Sequence, residues 1–224
     1  MGKRFIGIIK YILQCILEVV YPHFDSCISC GETIEEEHVC KNCLNNISYI
    51  NGEYYLDKDK KIRCFSAAYY SGTIKEIIIK LKYSSNFESA EFLSKILFDK
   101  IKRENICGDI ITYVPTSKVS IKKRGYNQCR VLGKELASLS GIRLVGTLKR
   151  VKEVKEQKRL AVDERLANMD GVFQVIEPSE VLGKNVILID DVLTTGATVM
   201  SCRDVLIKCG ANSVILLTVA KSNI

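Results

Sequence analysis

Two adjacent carboxylates, Asp190 and Asp191, are followed after two residues by Thr194-Thr195-Gly196-Ala197-Thr198, a run of small and hydroxyl-bearing side chains. A loop of that kind ahead of a helix offers backbone N–H groups, hydroxyls and the positive end of the helix dipole, which together suit a phosphate. Acids beside a phosphate would repel it, unless they hold sugar hydroxyls or a hydrated Mg2+. The spacing therefore points to a sugar phosphate taken up with metal. The two common nucleotide loops fit poorly, because no Lys follows Gly196 and G-x-G-x-x-G needs more glycines than this stretch has. The competing structural reading is a pair of Asp residues that only cap the next helix.

A second constellation is Cys27-Ile-Ser-Cys30 with Cys40-Lys-Asn-Cys43. Two C-x-x-C pairs can set four thiolates tetrahedrally about one ion, and Zn2+ is the usual occupant. A redox dithiol or an iron–sulfur centre shares the pattern. With every position filled by protein, the metal would be structural. Gly31 permits the tight turn after the first pair.

The third is cationic. Thr116-Ser117-Lys118 follows an apolar strand and Pro115, and Lys122-Lys123-Arg124-Gly125-Tyr126-Asn127-Gln128 comes soon after. A strand end carrying a small loop and cations is again an anion site, with a solvated basic turn as the alternative. Between Lys118 and Arg165 there are fourteen basic and five acidic residues, so the net charge of +7 is concentrated there. Pyrophosphate, nucleic acid and plain solvent would all suit such a segment. Within it the spacing Arg150, Gln157, Leu160, Arg165, Asn168 reads either as an exposed, charge-laced helix or as a mobile flap. Only two histidines occur, His23 and His38, which counts against a Ser-His or Cys-His hydrolase.

These residues need elements to place them. Val186–Ile189 reads as a strand buried on both faces, with the acids where it emerges and a helix from about Val199 to Cys209 beyond. Strands are also expected at Ile110–Val114 and Ser213–Val219. Helices are expected around Ile74–Leu81 and Phe87–Lys102. The alternation favours an α/β fold with a mainly parallel sheet flanked by helices. Residues 5–20 have a wide apolar face broken by a polar stripe, an amphipathic helix and not a membrane span. Asn45–Lys61 is polar and reads as hairpin or linker, giving domains 1–50 and 51–224. The other six cysteines are scattered through apolar segments, which suits reduced thiols and a cytoplasmic location.

Val186 to Thr198, V-I-L-I-D-D-V-L-T-T-G-A-T, resembles the phosphoribosyl pyrophosphate (PRPP) signature of type I phosphoribosyltransferases. Over nearly its whole length the chain is similar to the ComF family of competence-associated, amidophosphoribosyltransferase-like proteins. The resemblance is carried by the cysteine cluster, Tyr70-Ser71-Gly72-x-Ile74-Lys75, Leu81-Lys82-Tyr83, Val114-Pro115, Arg124-Gly125-Tyr126-Asn127-Gln128, the Arg150-to-Asn168 spacing and the PRPP block. It implies a type I phosphoribosyltransferase fold with a small N-terminal zinc ribbon or knuckle, and a role in DNA uptake during natural transformation. By that likeness Asp190 and Asp191 hold the ribose, directly or through Mg2+. Thr194 to Thr198 bind the 5′-phosphate, while Thr116 to Lys118, Arg150 and Arg165 face the pyrophosphate. Arg124, Tyr126, Asn127, Gln128 and Gln157 are candidates for contact with substrate or DNA. The acceptor hood must come from the N-terminal half. A second reading keeps the fold as an adaptor for single-stranded DNA or for a recombination protein. One departure is Ser84-Ser85, where a glycine is expected.

Overall fold

The β-branched run at Val186–Ile189 lies at the centre of a parallel sheet, buried on both faces, as its lack of polar alternation requires. The computed structural model describes residues 26–34, 38–56, 62–152 and 171–222, and the chain divides into units of residues 1–45 and 46–224. Residues 5–20, expected as an amphipathic helix, and the 153–170 stretch with Gln157, Leu160, Arg165 and Asn168 lie outside the described residues. Among the described residues no helix is long and apolar enough to cross a membrane.

The smaller unit carries one short helix, α1 (Lys41–Asn45), and an isolated antiparallel bridge between Ser26 and Thr33. The larger unit runs β1 (Tyr54–Tyr55), β2 (Arg63–Tyr69), α2 (Gly72–Tyr83), α3 (Glu88–Arg103), β3 (Ile110–Tyr113), α4 (Lys118–Arg124), α5 (Gln128–Ser140), β4 (Leu148–Arg150), β5 (Phe173–Val175), α6 (Pro178–Val181), β6 (Asn185–Leu193), α7 (Ala197–Lys208) and β7 (Ser213–Lys221). The main sheet has the order β1-β2-β7-β6-β3. Its inner pairs are parallel, and β1 adds an antiparallel edge through the hairpin Tyr54↔Cys64. Ahead of that hairpin, Tyr49 bridges Ala68, so residues 48–50 already run along β2.

Helices cover the sheet on two sides. α3 and α5 pack on each other, α3 against β2 and β7, and α5 against β3 and β6; α7 packs against β5, β6 and β7. β4 and β5 form a separate antiparallel ribbon, Leu148↔Val175 to Arg150↔Phe173. The fold is thus α/β, with a mostly parallel sheet between helices, as the alternating pattern predicts.

One element differs from expectation in a way that matters. β6 does not stop before the acids; it continues through Asp190 and Asp191 to Leu193. The reason is its neighbour, because β7 stays in register alongside, pairing Asp190↔Thr218, Val192↔Ala220 and Leu193↔Lys221. The helix after the loop also begins earlier, at Ala197. After α2, Ser85 takes φ +51, the left-handed conformation that glycine adopts without a Cβ penalty. That is the position where the family resemblance calls for glycine nearby.

Candidate functional site

The C-terminal ends of neighbouring strands β3 and β6 form the site, held in step by Val114 N–H donating to the Ile189 carbonyl at 3.0 Å. Ligands of open α/β sheets bind at such strand ends.

On the β6 side, Asp190, Thr194, Thr195, Gly196, Ala197 and Thr198 line one small hollow. Gly196 is the N-cap of α7 with φ +79, and a Cβ built there would lie 3.2 Å from Leu56 Cδ1. Glycine is therefore needed for the left-handed turn, and a Cβ there would also press on the Leu56 side chain just beyond β1. Asp190 is half-buried; its Oδ1 accepts from Asp191 N–H at 2.9 Å and from Cys129 Sγ at 3.3 Å. Burial and the adjacent Asp191 charge push Asp190 up to about 7.

Asp191 is a different kind of residue. Strand neighbours point to opposite faces, so Asp190 shares the side of Val186 and Leu188, which pack with Val199, Cys202 and Leu206 of α7. Asp191 shares the side of Ile189, which approaches Gly133 of α5. It is 4% exposed. Its Oδ1 accepts from Val192 N–H at 2.9 Å, and its Oδ2 is ion-paired with Lys82 at the end of α2. Burial works against charge on Lys82, but the Asp191 carboxylate outweighs it and raises the ammonium above its ordinary range. Cys129, buried and facing both acids, is pushed well above the ordinary thiol value by burial first and their charge second.

On the β3 side, Thr116, Lys118, Tyr126, Asn127 and Arg150 line an open cleft of about 900 Å3. Lys118, Arg130, Lys134, Lys149 and Arg150 supply its cations, and Phe87 and Tyr126 pack at its edge with ring centroids 5.3 Å apart and planes tilted by 50°. Ser117 caps α4, its Oγ accepting from Ser120 N–H at 3.1 Å. Asn127 caps α5, accepting from Cys129 and Arg130 N–H at 2.8 and 3.2 Å and donating to the Val114 carbonyl at 3.0 Å. Arg124 donates to Gln128 Oε1 at 3.0 Å and stacks on Tyr83; Tyr126 Oη donates to the Leu81 carbonyl. Of the residues named for substrate or DNA contact, Arg124 and Gln128 are thus spent on internal bonds, while Tyr126 and Asn127 serve the fold and also face the cleft. Arg150 ends β4, at the base of the ribbon from which residues 153–170 depart.

Sequence reasoning on the chemistry passed over Lys82, Cys129 and Leu56. Lys82 had a visible signal, since it follows Leu81 at the end of the Ile74, Ile77, Ile78, Leu81 stripe. The other two had none, because only tertiary packing brings them to the loop.

In the smaller unit, the four sulfur atoms of Cys27, Cys30, Cys40 and Cys43 lie within 4.8 Å of one another. Zn–S bonds of about 2.3 Å in a tetrahedron set sulfurs about 3.8 Å apart, and Cys30 Sγ to Cys40 Sγ is 3.7 Å. Cys40 N–H points at Cys27 Sγ at 3.3 Å, and Cys43 N–H at Cys40 Sγ at 3.5 Å, as suits sulfurs carrying thiolate charge. The cluster is knuckle-like and fits a structural metal. The acid pair fits an ion less well. Mg2+ wants hard oxygens and retained waters, whereas a thiol and an ammonium stand beside the two carboxylates.

Residues 119–224 match the phosphoribosyl transferase domain. The chain is 24% identical to Competence protein F of Haemophilus influenzae over 84% of its own length and 86% of that protein's. It is 25% identical to the DNA utilization protein YhgH of Salmonella typhi over 89% and 92%. Adenine phosphoribosyltransferase from Leishmania tarentolae superposes at a TM-score of 0.44 with 14% identity, over 77% of this chain and 95% of that one.

Proposed function

We propose that this chain, which is similar to ComF-family proteins and carries a phosphoribosyl transferase domain over residues 119–224, binds PRPP and transfers the phosphoribosyl group to a nitrogenous acceptor in the handling of incoming DNA. The observation that carries this reading is the β6–α7 hollow, where Asp190 and the Thr194–Thr198 loop stand together. The 5′-phosphate sits on the loop N–H groups and threonine hydroxyls at the start of α7. Asp190 accepts from the ribose hydroxyls. The pyrophosphate lies toward Thr116, Ser117, Lys118 and Arg150, whose donors favour the charge that develops as the C1–O bond breaks and an acceptor nitrogen takes its place. No protein nucleophile is required. Mg2+ would enter on the oxygens of PRPP and offset their charge. Zn2+ is assigned to the four cysteines as a structural ion.

Calorimetry of PRPP with Mg2+ into the zinc-loaded protein tests the reading, followed by pyrophosphate release across nucleobases, amines and oligonucleotides. Saturable binding with turnover is the expected result; absence of binding removes the proposal. Gly196→Val should weaken PRPP at least about tenfold, because a Cβ in the left-handed region costs about 1–2 kcal/mol and would push on Leu56. Unchanged affinity would take the phosphate away from this loop.

The cleft favours a second reading, an adaptor for single-stranded DNA, since cations lining a groove with packed aromatics suit backbone and bases together. It predicts oligonucleotide affinity that falls steeply with salt, and falls again in Lys134→Glu/Lys149→Glu while PRPP affinity holds. Affinity indifferent to salt and to both substitutions would reject it.

A further inference from the structure

The acids of the loop are consecutive in sequence but have unequal surroundings. Asp190 lines the hollow with the threonines, whereas Asp191 does not. Asp191 Oδ1 accepts from Val192 N–H, while Oδ2 is buried with no hydrogen-bond partner among the described residues and is met by Lys82 through an ion pair. We infer that Lys82 is the resident cation of this centre: its ammonium holds Asp191, keeps a divalent ion from bridging the acid pair, and leaves Asp190 as the one carboxylate that meets the ligand. The inference rests on the sugar-phosphate reading of the loop and deepens it by naming a positioning residue.

Lys82 is held for this task by its helix. Ile74, Ile77, Ile78 and Leu81 are all essentially inaccessible, and Tyr126 Oη binds the Leu81 carbonyl one residue before Lys82. The Lys82 side chain itself is only 18% exposed. An anchored, enclosed lysine loses little further freedom on pairing, unlike a surface lysine. A divalent ion entering between the acids would face a like charge already in place. It would also strand a buried ammonium without its carboxylate, an arrangement that proteins avoid. Cys129 Sγ also lies close to both acids, and sulfur is a poor ligand for a hard ion. Lys82 thus supplies, from the N-terminal half of the larger unit, the neutralising charge that sequence reasoning gave to a metal.

The test uses Mn2+ alone, without PRPP, titrated into full-length zinc-loaded protein and followed by electron paramagnetic resonance. Mn2+ is the weakest of the divalent series for thiolates and leaves the zinc cluster undisturbed. Wild type and Lys82→Arg should show no Mn2+ site that depends on Asp191. Lys82→Met should gain one that is at least about tenfold tighter, and Lys82→Met/Asp191→Asn should lose it again. The double variant removes both charges and serves as the folded reference. If Lys82→Met does not fold, wild type against Asp191→Asn decides: Mn2+ uptake present in the first and absent in the second overturns the inference, and equal lack of uptake supports it. Mn2+ bound as tightly by wild type as by Lys82→Met also overturns it. Because PRPP is not in the assay, a failure of PRPP to bind would remove the sugar-phosphate reading and leave this result standing.

Discussion

Stripping zinc from the protein is expected to unfold the segment around Cys27–Cys43 while residues 46–224 keep their structure. Apart from the cysteines themselves, Ile28 and Val39 are the buried apolar residues of that segment among the described residues, too few to offset the entropy of ordering it. Domains below about 40 residues generally need a metal, disulfides or a partner to fold. Structural zinc in finger-sized units contributes about 10–16 kcal/mol of apparent binding free energy, far more than two aliphatic side chains can replace. Chelation followed by limited proteolysis with mass spectrometry should show new cuts within 26–45 and none in the β6–α7 region. Cys40→Ser should do the same at ordinary zinc concentration, since Cys40 would contribute a ligand and its Sγ also receives Cys43 N–H. Protection of the segment that survives chelation would mean that the four thiols are not a folding site.

Lys100→Met is expected to cost about 3–5 kcal/mol, the usual penalty for breaking a buried ion pair from one side. Lys100 is 1% exposed. Its ammonium donates to the Ile50 carbonyl at 2.8 Å, the Gly52 carbonyl at 2.9 Å and Glu104 Oε1 at 2.9 Å. Glu104 Oε1 in turn accepts from Gly52 N–H at 2.8 Å. Methionine leaves those two carbonyls and a carboxylate without the charge they surround. Thermal unfolding should fall by on the order of 10 °C for a unit of this size. Adding Glu104→Gln should restore part of the loss, because the stranded charge is then removed. The consequence reaches the site, since the turn that Lys100 anchors leads into β1 and on to Leu56, which lies over Gly196. PRPP affinity should therefore drop in Lys100→Met even well below its melting temperature. A midpoint within two degrees of wild type would show that the surrounding backbone relaxes at little cost, against the figures expected for buried pairs.

The elements that place the chemistry were legible because their signals are local. Val186–Ile189 and Ser213–Val219 carry apolar runs that only a doubly covered strand accommodates, and both are central strands here. The helix at Phe87–Lys102 was visible from one apolar stripe and is found at Glu88–Arg103. The two C-x-x-C pairs announce a four-thiol cluster because ligand spacing is itself a local property, and the sulfurs do converge. The Thr194–Thr198 loop and its glycine were equally readable, since the left-handed turn needs Gly196 and the hydroxyls need only proximity in the chain. The sequence alone thus determined the fold class, the position of the Thr194–Thr198 loop and the thiol cluster.

Side-chain direction was decided only by tertiary structure. Whether Asp190 and Asp191 leave the strand together or remain inside it depends on how far β7 stays paired alongside, which pairing between segments decides. Once β6 runs through both acids, the alternation of strand side chains starts them in opposite directions, although their carboxylate oxygens still converge beside Cys129 Sγ. One faces the loop, and the other faces a lysine more than a hundred residues away. The same holds for Arg124 and Asn127, which sequence reads as candidates for substrate or DNA contact, and which the fold turns into an arginine stacked on Tyr83 and a helix cap. A residue's type and spacing state what it can bind. Which partner it has already taken depends on the long-range packing that places α2 against the end of β6.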